Sequence, residues 1–135
     1  MLATDKKIFE LEKDYDKSYK IEKVYDGKKL SVIKILDKKD KIYKALFYDE
    51  FERLSNLSIY DTESGKEKEN ITYKADGKTM SSVREYNIET DNLLKVTFYK
   101  PNGEEVSSIV EYDESGKESQ CLIFCDNGEV EKFVI

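Results

Sequence analysis

The chain has 135 residues, 39% of them charged, with 23 Lys and Arg against 29 Asp and Glu and therefore a formal charge of −6. That balance excludes a nonspecific grip on nucleic-acid phosphates. The ten Tyr and six Phe exclude a disordered chain, which would be poor in aromatics.

The N-terminus, MLATDKKIFE, has no apolar run of signal-peptide length, and no stretch approaches the roughly 20 apolar residues of a membrane-spanning helix. The expectation is a soluble cytoplasmic protein without membrane contact, or a secreted one if a leader has been removed. Strands are predicted at 8–15, 19–25, 29–36, 42–49, 54–60, 67–74, 79–86, 93–100, 105–112, 118–125 and 129–134. A short helix over TDKKIFELEKDYDK, with Thr4 as N-cap, competes with the first of these.

The pattern behind these strands is a repeat, clearest over residues 70–113. Tyr73, Gly77, Val83 and Tyr86 recur as Tyr99, Gly103, Ile109 and Tyr112, 26 positions on. Counting from the turn glycines gives five units near 19–36, 42–61, 67–87, 93–113 and 118–135. Glu52 stands where the second unit has lost its glycine, and 8–18 forms a partial unit in front. Each unit reads as a β-hairpin. Asp26-Gly27, Asp76-Gly77 and Asn102-Gly103 are dipeptides suited to two-residue turns in which both central residues have positive φ. With Asn102-Gly103 at the corner, Lys100 faces Glu105 and Tyr99 faces Val106. At Asp126-Asn127-Gly128, a three-residue turn with a glycine bulge restores the pairing of Phe124 with Val130. The expected fold is all-β: an antiparallel meander of about five tandem hairpins with a period near 25 residues, in one twisted or partly rolled sheet.

Few residues offer chemistry. There is no His, and Ser81, Ser82, Ser107 and Ser108 alternate across strand faces with no adjacent base. Asp76-Gly77-Lys78-Thr79 echoes the end of a phosphate loop but lacks its upstream glycine, so it reads as a hairpin turn. The acidic turns Asp37–Asp40 and Asp113–Glu118 lack the ligand ladder of a calcium loop. Cys121 and Cys125 lie about 13 Å apart on an extended strand, too far for a disulfide, and without His they make no zinc site. No catalytic, metal or cofactor residue is assigned, and the chain is expected not to be an enzyme.

The recurring aromatics are the candidate contact residues: Tyr48, Tyr73 and Tyr99 on one set of strands, with Phe124 in the last unit, and Tyr60, Tyr86 and Tyr112 on the return strands. They read as a cross-strand ladder, part of which is exposed to a partner. Phe133 and Ile135 join them, because the segment VEKFVI forms an apolar edge. That edge is expected to be buried by a fold-back or by self-association.

The segment DGKTMSSVREYNIETDNLLKVTFYKPNG resembles an uncharacterised tandem repeat of phytoplasma-type bacterial proteins, and the likeness extends over residues 72–117. Asp91 and Glu52 stand in place of that repeat's glycines. Tyr60-Asp61…Gly65-Lys66 and Tyr112-Asp113…Gly116-Lys117 are similar, more distantly, to tyrosine–aspartate repeats and to MORN-like repeats of antitoxin-type proteins. These resemblances imply an architecture and no activity. The expected function is a non-enzymatic protein-binding module presenting an extended sheet to an unidentified protein. The alternatives are an acidic inhibitor or immunity-type protein that blocks a basic site, and a structural spacer.

Overall fold

The computed structural model describes residues 19–135. Ten strands follow in order: β1 Lys20–Asp26, β2 Lys29–Leu36, β3 Ile42–Tyr48, β4 Leu54–Tyr60, β5 Glu67–Tyr73, β6 Met80–Tyr86, β7 Leu93–Tyr99, β8 Val106–Tyr112, β9 Glu118–Phe124 and β10 Val130–Val134. They form one open antiparallel sheet in sequence order, with no helix among the described residues. The predicted strands 19–25 to 129–134 match these within a residue at either end. The predicted strand 8–15 and the competing helix lie outside the described residues.

Cross-strand partners fall into straight rows. One row joins Ile33, Leu46, Leu57, Ile71, Val83, Thr97, Ile109 and Leu122. Because partners share a face, this row defines the core face. Its fully buried part is a cluster of Leu30, Ile33, Ile35, Leu46, Leu54 and Leu57 on β2–β4, with Tyr48, Ile71 and Tyr73 packed against it. The best-buried segment is therefore not the pair of units in which the sequence repeat is clearest.

The register slips once in each pairing from β1–β2 to β8–β9. Tyr48 is partnered by Leu54 while Phe47 is partnered by Asn56, so Ser55 is left over as a bulge. Ser31, Ser81, Ser107 and Ser119 are left over in the same way. A bulge frees ladder groups. Two of the serines answer this directly: Ser55 Oγ donates to the Phe47 carbonyl at 3.0 Å, and Ser119 Oγ to that of Glu111 at 3.1 Å.

The turns correct one expectation. At Asp76-Gly77 and Asn102-Gly103 only the glycine has positive φ, +70° and +72°. The chain closes a four-residue turn instead, with Gly103 N–H donating to the Lys100 carbonyl at 2.8 Å and Gly77 N–H to that of Lys74 at 3.0 Å. Pro101, with its fixed φ, occupies the second position of the first of these, where such a turn accepts it. At the first hairpin Asp26 pairs with Lys29, so the corner residues are Gly27 and Lys28. The predicted pairs Tyr99–Val106 and Phe124–Val130 are present. Glu52 and Asp91, which replace the repeat's glycines, keep the left-handed conformation at φ 59° and 65°.

The turns also stack on one another. Leu30 N–H donates to Glu52 Oε1 at 2.8 Å. At the equivalent place one unit on, a Cβ on Gly77 would lie 3.2 Å from Leu54 N. In the next unit, a Cβ on Gly103 would lie 3.1 Å from Met80 N and 2.6 Å from Thr79 Cγ2.

Candidate interaction surface

Alternation and register place the recurring tyrosines in two sets. Tyr48, Tyr73 and Tyr99 lie on the core face, at one end of the sheet. Tyr60, Tyr86 and Tyr112 lie on the opposite face, at the other end. Each sits where the register slips, against Leu54, Met80, Val106, Glu67, Leu93 and Glu118 respectively. Among these six tyrosines no two are register partners, because the bulge sets each ring against the start of the next strand. The two ends of the ladder expected from the sequence thus face opposite ways.

Tyr48 and Tyr73 are packing residues. The Tyr48 hydroxyl is buried without a hydrogen-bond partner, and burial, helped by Tyr73, pushes its pKa up to about 12. Burial also raises Tyr73. Tyr86 is raised by burial and by the Glu67 carboxylate beside it, with Arg84 opposing. Ile135 donates its N–H to the Ser119 carbonyl at 3.0 Å. The side chains of Val130, Phe133, Val134 and Ile135 are exposed, and among the described residues none folds back over this edge, contrary to one of the two expectations for it. Among the described residues β10 has a neighbour on one side only.

The face opposite the core changes character along the sheet. Across β4 and β5 it is polar and internally satisfied. Asn56 Nδ2 donates to Asn70 Oδ1 and Thr72 Oγ1, Asn70 Nδ2 to Ser58 Oγ, and Ser58 Oγ to Glu67 Oε2, over 2.8–3.2 Å. Across β7–β10 it is more apolar, with Phe98, Ile123 and Phe133 exposed and Val96 buried. Phe98, Ser108 and Ile123 form one row there, and Val96, Val110, Cys121 and Phe133 the next. Phe98 and Ile123 were not singled out by the sequence.

The polar groups in the turns serve the turns themselves. The Asp76 carboxylate accepts from the amides of Lys78 and Thr79, both at 2.8 Å, and from the Thr79 hydroxyl. That hydroxyl bond first, then the amides, lower its pKa to about 2. Asp113 accepts from Ser115 and from the Lys117 amide, and Asp37 from the amides of Lys39 and Lys41. Among the described residues no group of three or more His, Cys, Asp and Glu is placed to hold a metal. A shallow cavity of about 370 Å³ beside the β2–β3 turn is lined by Tyr19, Asp37, Lys38, Lys39, Lys41, Thr62 and Glu63. No helix among the described residues is long and apolar enough to cross a membrane.

The model of the family described as "Protein of unknown function (DUF2963)" matches twice, over residues 47–97 and 73–121, which together take in more than half of the sequence. The chain belongs to this family. The two DUF2963 matches start 26 residues apart, the spacing of Tyr73 and Tyr99, and each spans about two periods of the repeat. No curated protein matches the DUF2963 chain. Solved structures do. TarM matches with a TM-score of 0.60 and 12% identity over 95% of this chain and 24% of its own. An S. aureus TarM mutant in complex with Fondaparinux, alpha-GlcNAc-glycerol and UDP matches with a TM-score of 0.58, also at 12% identity, over the same shares. This DUF2963 chain therefore spans about a quarter of the length of those proteins, and the likeness is one of fold.

The expectation that the chain is not an enzyme is corrected here. TarM is a glycosyltransferase, and a sheet of this fold occupies part of it. A sheet without a nucleophile–base pair can be built into an enzyme whose reacting groups lie elsewhere, so the missing constellation is no mark of a non-enzyme.

Proposed function

We propose that the chain is a protein-binding module that presents one face of its sheet to another protein. The observation that carries this reading is the open, single-layer sheet, whose face across β7–β10 leaves large apolar side chains in solvent. Exposed apolar surface of this kind marks contact sites. The half-buried rings of Tyr112 at the end of that face and of Tyr86 on the adjoining strand β6 suit a surface where one side of a ring is wet. The resemblance to tandem repeats of phytoplasma-type bacterial proteins fits a repeat sheet of this kind, and the outer edge of β10, unpaired among the described residues, adds a second contact element by strand addition. The test is affinity purification from the native cell with the wild type and with Tyr86→Ala/Tyr112→Ala. A protein recovered in stoichiometric amount and lost with the variant supports the reading. An identical set of proteins from both overturns it.

A second reading, an acidic blocker of a basic site, is favoured by how the charge is distributed. Residues 67–135 hold eight of the 23 Lys and Arg and fifteen of the 29 Asp and Glu, a balance of −7, which leaves residues 1–66 at +1. The similarity to antitoxin-type repeats points the same way.

A further inference from the structure

We propose that the face of β7–β10 opposite the core docks an extended basic segment of another protein, one that alternates Lys or Arg with apolar side chains. The inference rests on the protein-binding reading and names its surface and its partner. Leu94, Phe98, Ile123 and Phe133 are 43%, 40%, 37% and 50% exposed on this face. Phe98 and Ile123 are both partners of Ser108, one on each side, and so stand two strands apart, about 10 Å. Between these two large side chains the floor is a serine. This leaves a short trough on β8 at Ser108, walled by Phe98 and Ile123, with Val110 next to it on the same face. Toward β6 the face continues through Ser82 and Arg84, the partners of Phe98 and Val96, before it reaches the amide and hydroxyl network of β4 and β5.

Charge selects the occupant. Glu131 continues the Phe98–Ser108–Ile123 row at the sheet edge, and Glu118 is the partner of Tyr112 at the end of the same face. At the other end Lys100 is already held by Asp126 at 2.8 Å and Glu105 at 3.7 Å, with Glu104 beside them. This half of the chain carries −7, so a second copy laid face to face, an anionic lipid surface or a nucleic acid would each meet like charge, which costs affinity. A basic amphipathic segment meets opposite charge at both ends and apolar side chains between them, with the Arg84 guanidinium only at its β6 side.

The test uses the full chain and a blocked eight-residue peptide alternating Leu and Lys, with Leu–Glu and all-Lys peptides as controls, read by fluorescence anisotropy. The Leu–Lys peptide is expected to bind best, and more weakly as salt is raised. Phe98→Thr/Ile123→Thr, which alters only exposed positions, is expected to weaken it at least about tenfold with the melting temperature kept, as loss of central apolar anchors does. Glu118→Lys/Glu131→Lys supplies a second variant, independent of the apolar pair, and is expected to weaken binding as well. Equal binding of all-Lys and Leu–Lys, preference for Leu–Glu, or unchanged affinity in both variants overturns the proposal. If affinity falls instead with Tyr99→Thr on the core face, the sheet still binds protein but the assigned face is wrong.

Discussion

Gly103 tests the turn stacking quantitatively, because Gly27 supplies its control. Both have positive φ, +72° and +64°, so alanine at either meets the same backbone penalty. That penalty is about 1–2 kcal/mol, and the stiffer unfolded chain offsets about 0.4–1 kcal/mol of it. A Cβ at Gly27 meets nothing within 4 Å, so Gly27→Ala should cost about 1 kcal/mol in all. A Cβ at Gly103 would come 2.6 Å from the Thr79 γ-methyl and 3.1 Å from the backbone nitrogen of Met80. Overpacking of that kind adds about 1–3 kcal/mol, for a total of about 2–4 kcal/mol. At about 4 °C per kcal/mol for a chain of this length, thermal melts followed by circular dichroism should fall by about 8–16 °C for Gly103→Ala and about 4 °C for Gly27→Ala. Thr79→Ser removes the methyl group and should restore part of the loss in the Gly103→Ala background. Equal shifts at the two glycines would refute the stacking of one turn on the next.

Tyr48→Phe removes a buried hydroxyl without a partner and should raise stability by about 1 kcal/mol. It should also flatten the alkaline loss of stability, which sets in as pH rises from 10 toward the folded-state value of about 12. A lower melting temperature in the variant would show that the hydroxyl is bonded. Asp76 is depressed to about 2, so its contribution is fully present above the ordinary carboxylate value of 3.8 and is lost as pH falls through 2. Melting temperature should therefore drop between pH 4 and pH 2, and Thr79→Val, which deletes the largest cause of the shift, should lessen that drop; an unchanged drop would count against it. Deleting residues 130–135 removes β10 and its VEKFVI edge, leaving β9 as the sheet edge. If strand addition between copies occurs there, the whole chain weighs as a dimer in sedimentation and the truncated chain as a monomer, and equal masses would rule that contact out.

The strands were legible because their punctuation is chemical. Gly77, Gly103 and Gly128 recur in phase, and strand residues between turns are mostly β-branched, aromatic or polar in alternation. The bulges were not legible. Ser55 or Ser81 at the second position of a strand looks like ordinary alternation, and only the register shows that it has no partner. That omission hid the two orientations of the tyrosines, since a slip at every turn decides what each ring meets. Glu52 was visible as a lost glycine, but its carboxylate reaching Leu30 N–H was not, because the two are 22 residues apart and meet only when turns stack. The trough had a similar barrier. Phe133 stood out as an apolar edge residue, whereas Phe98 and Ile123 come together across Ser108 only once three strands are in register.

Hydrogen–deuterium exchange on the complex recovered from the native cell tests the central claim most directly. The account predicts a protein partner in stoichiometric amount and amides slowed by binding in β7–β10, with β2–β4 unchanged. A partner that protects β1–β4 alone, or no protein retained at all, would contradict it.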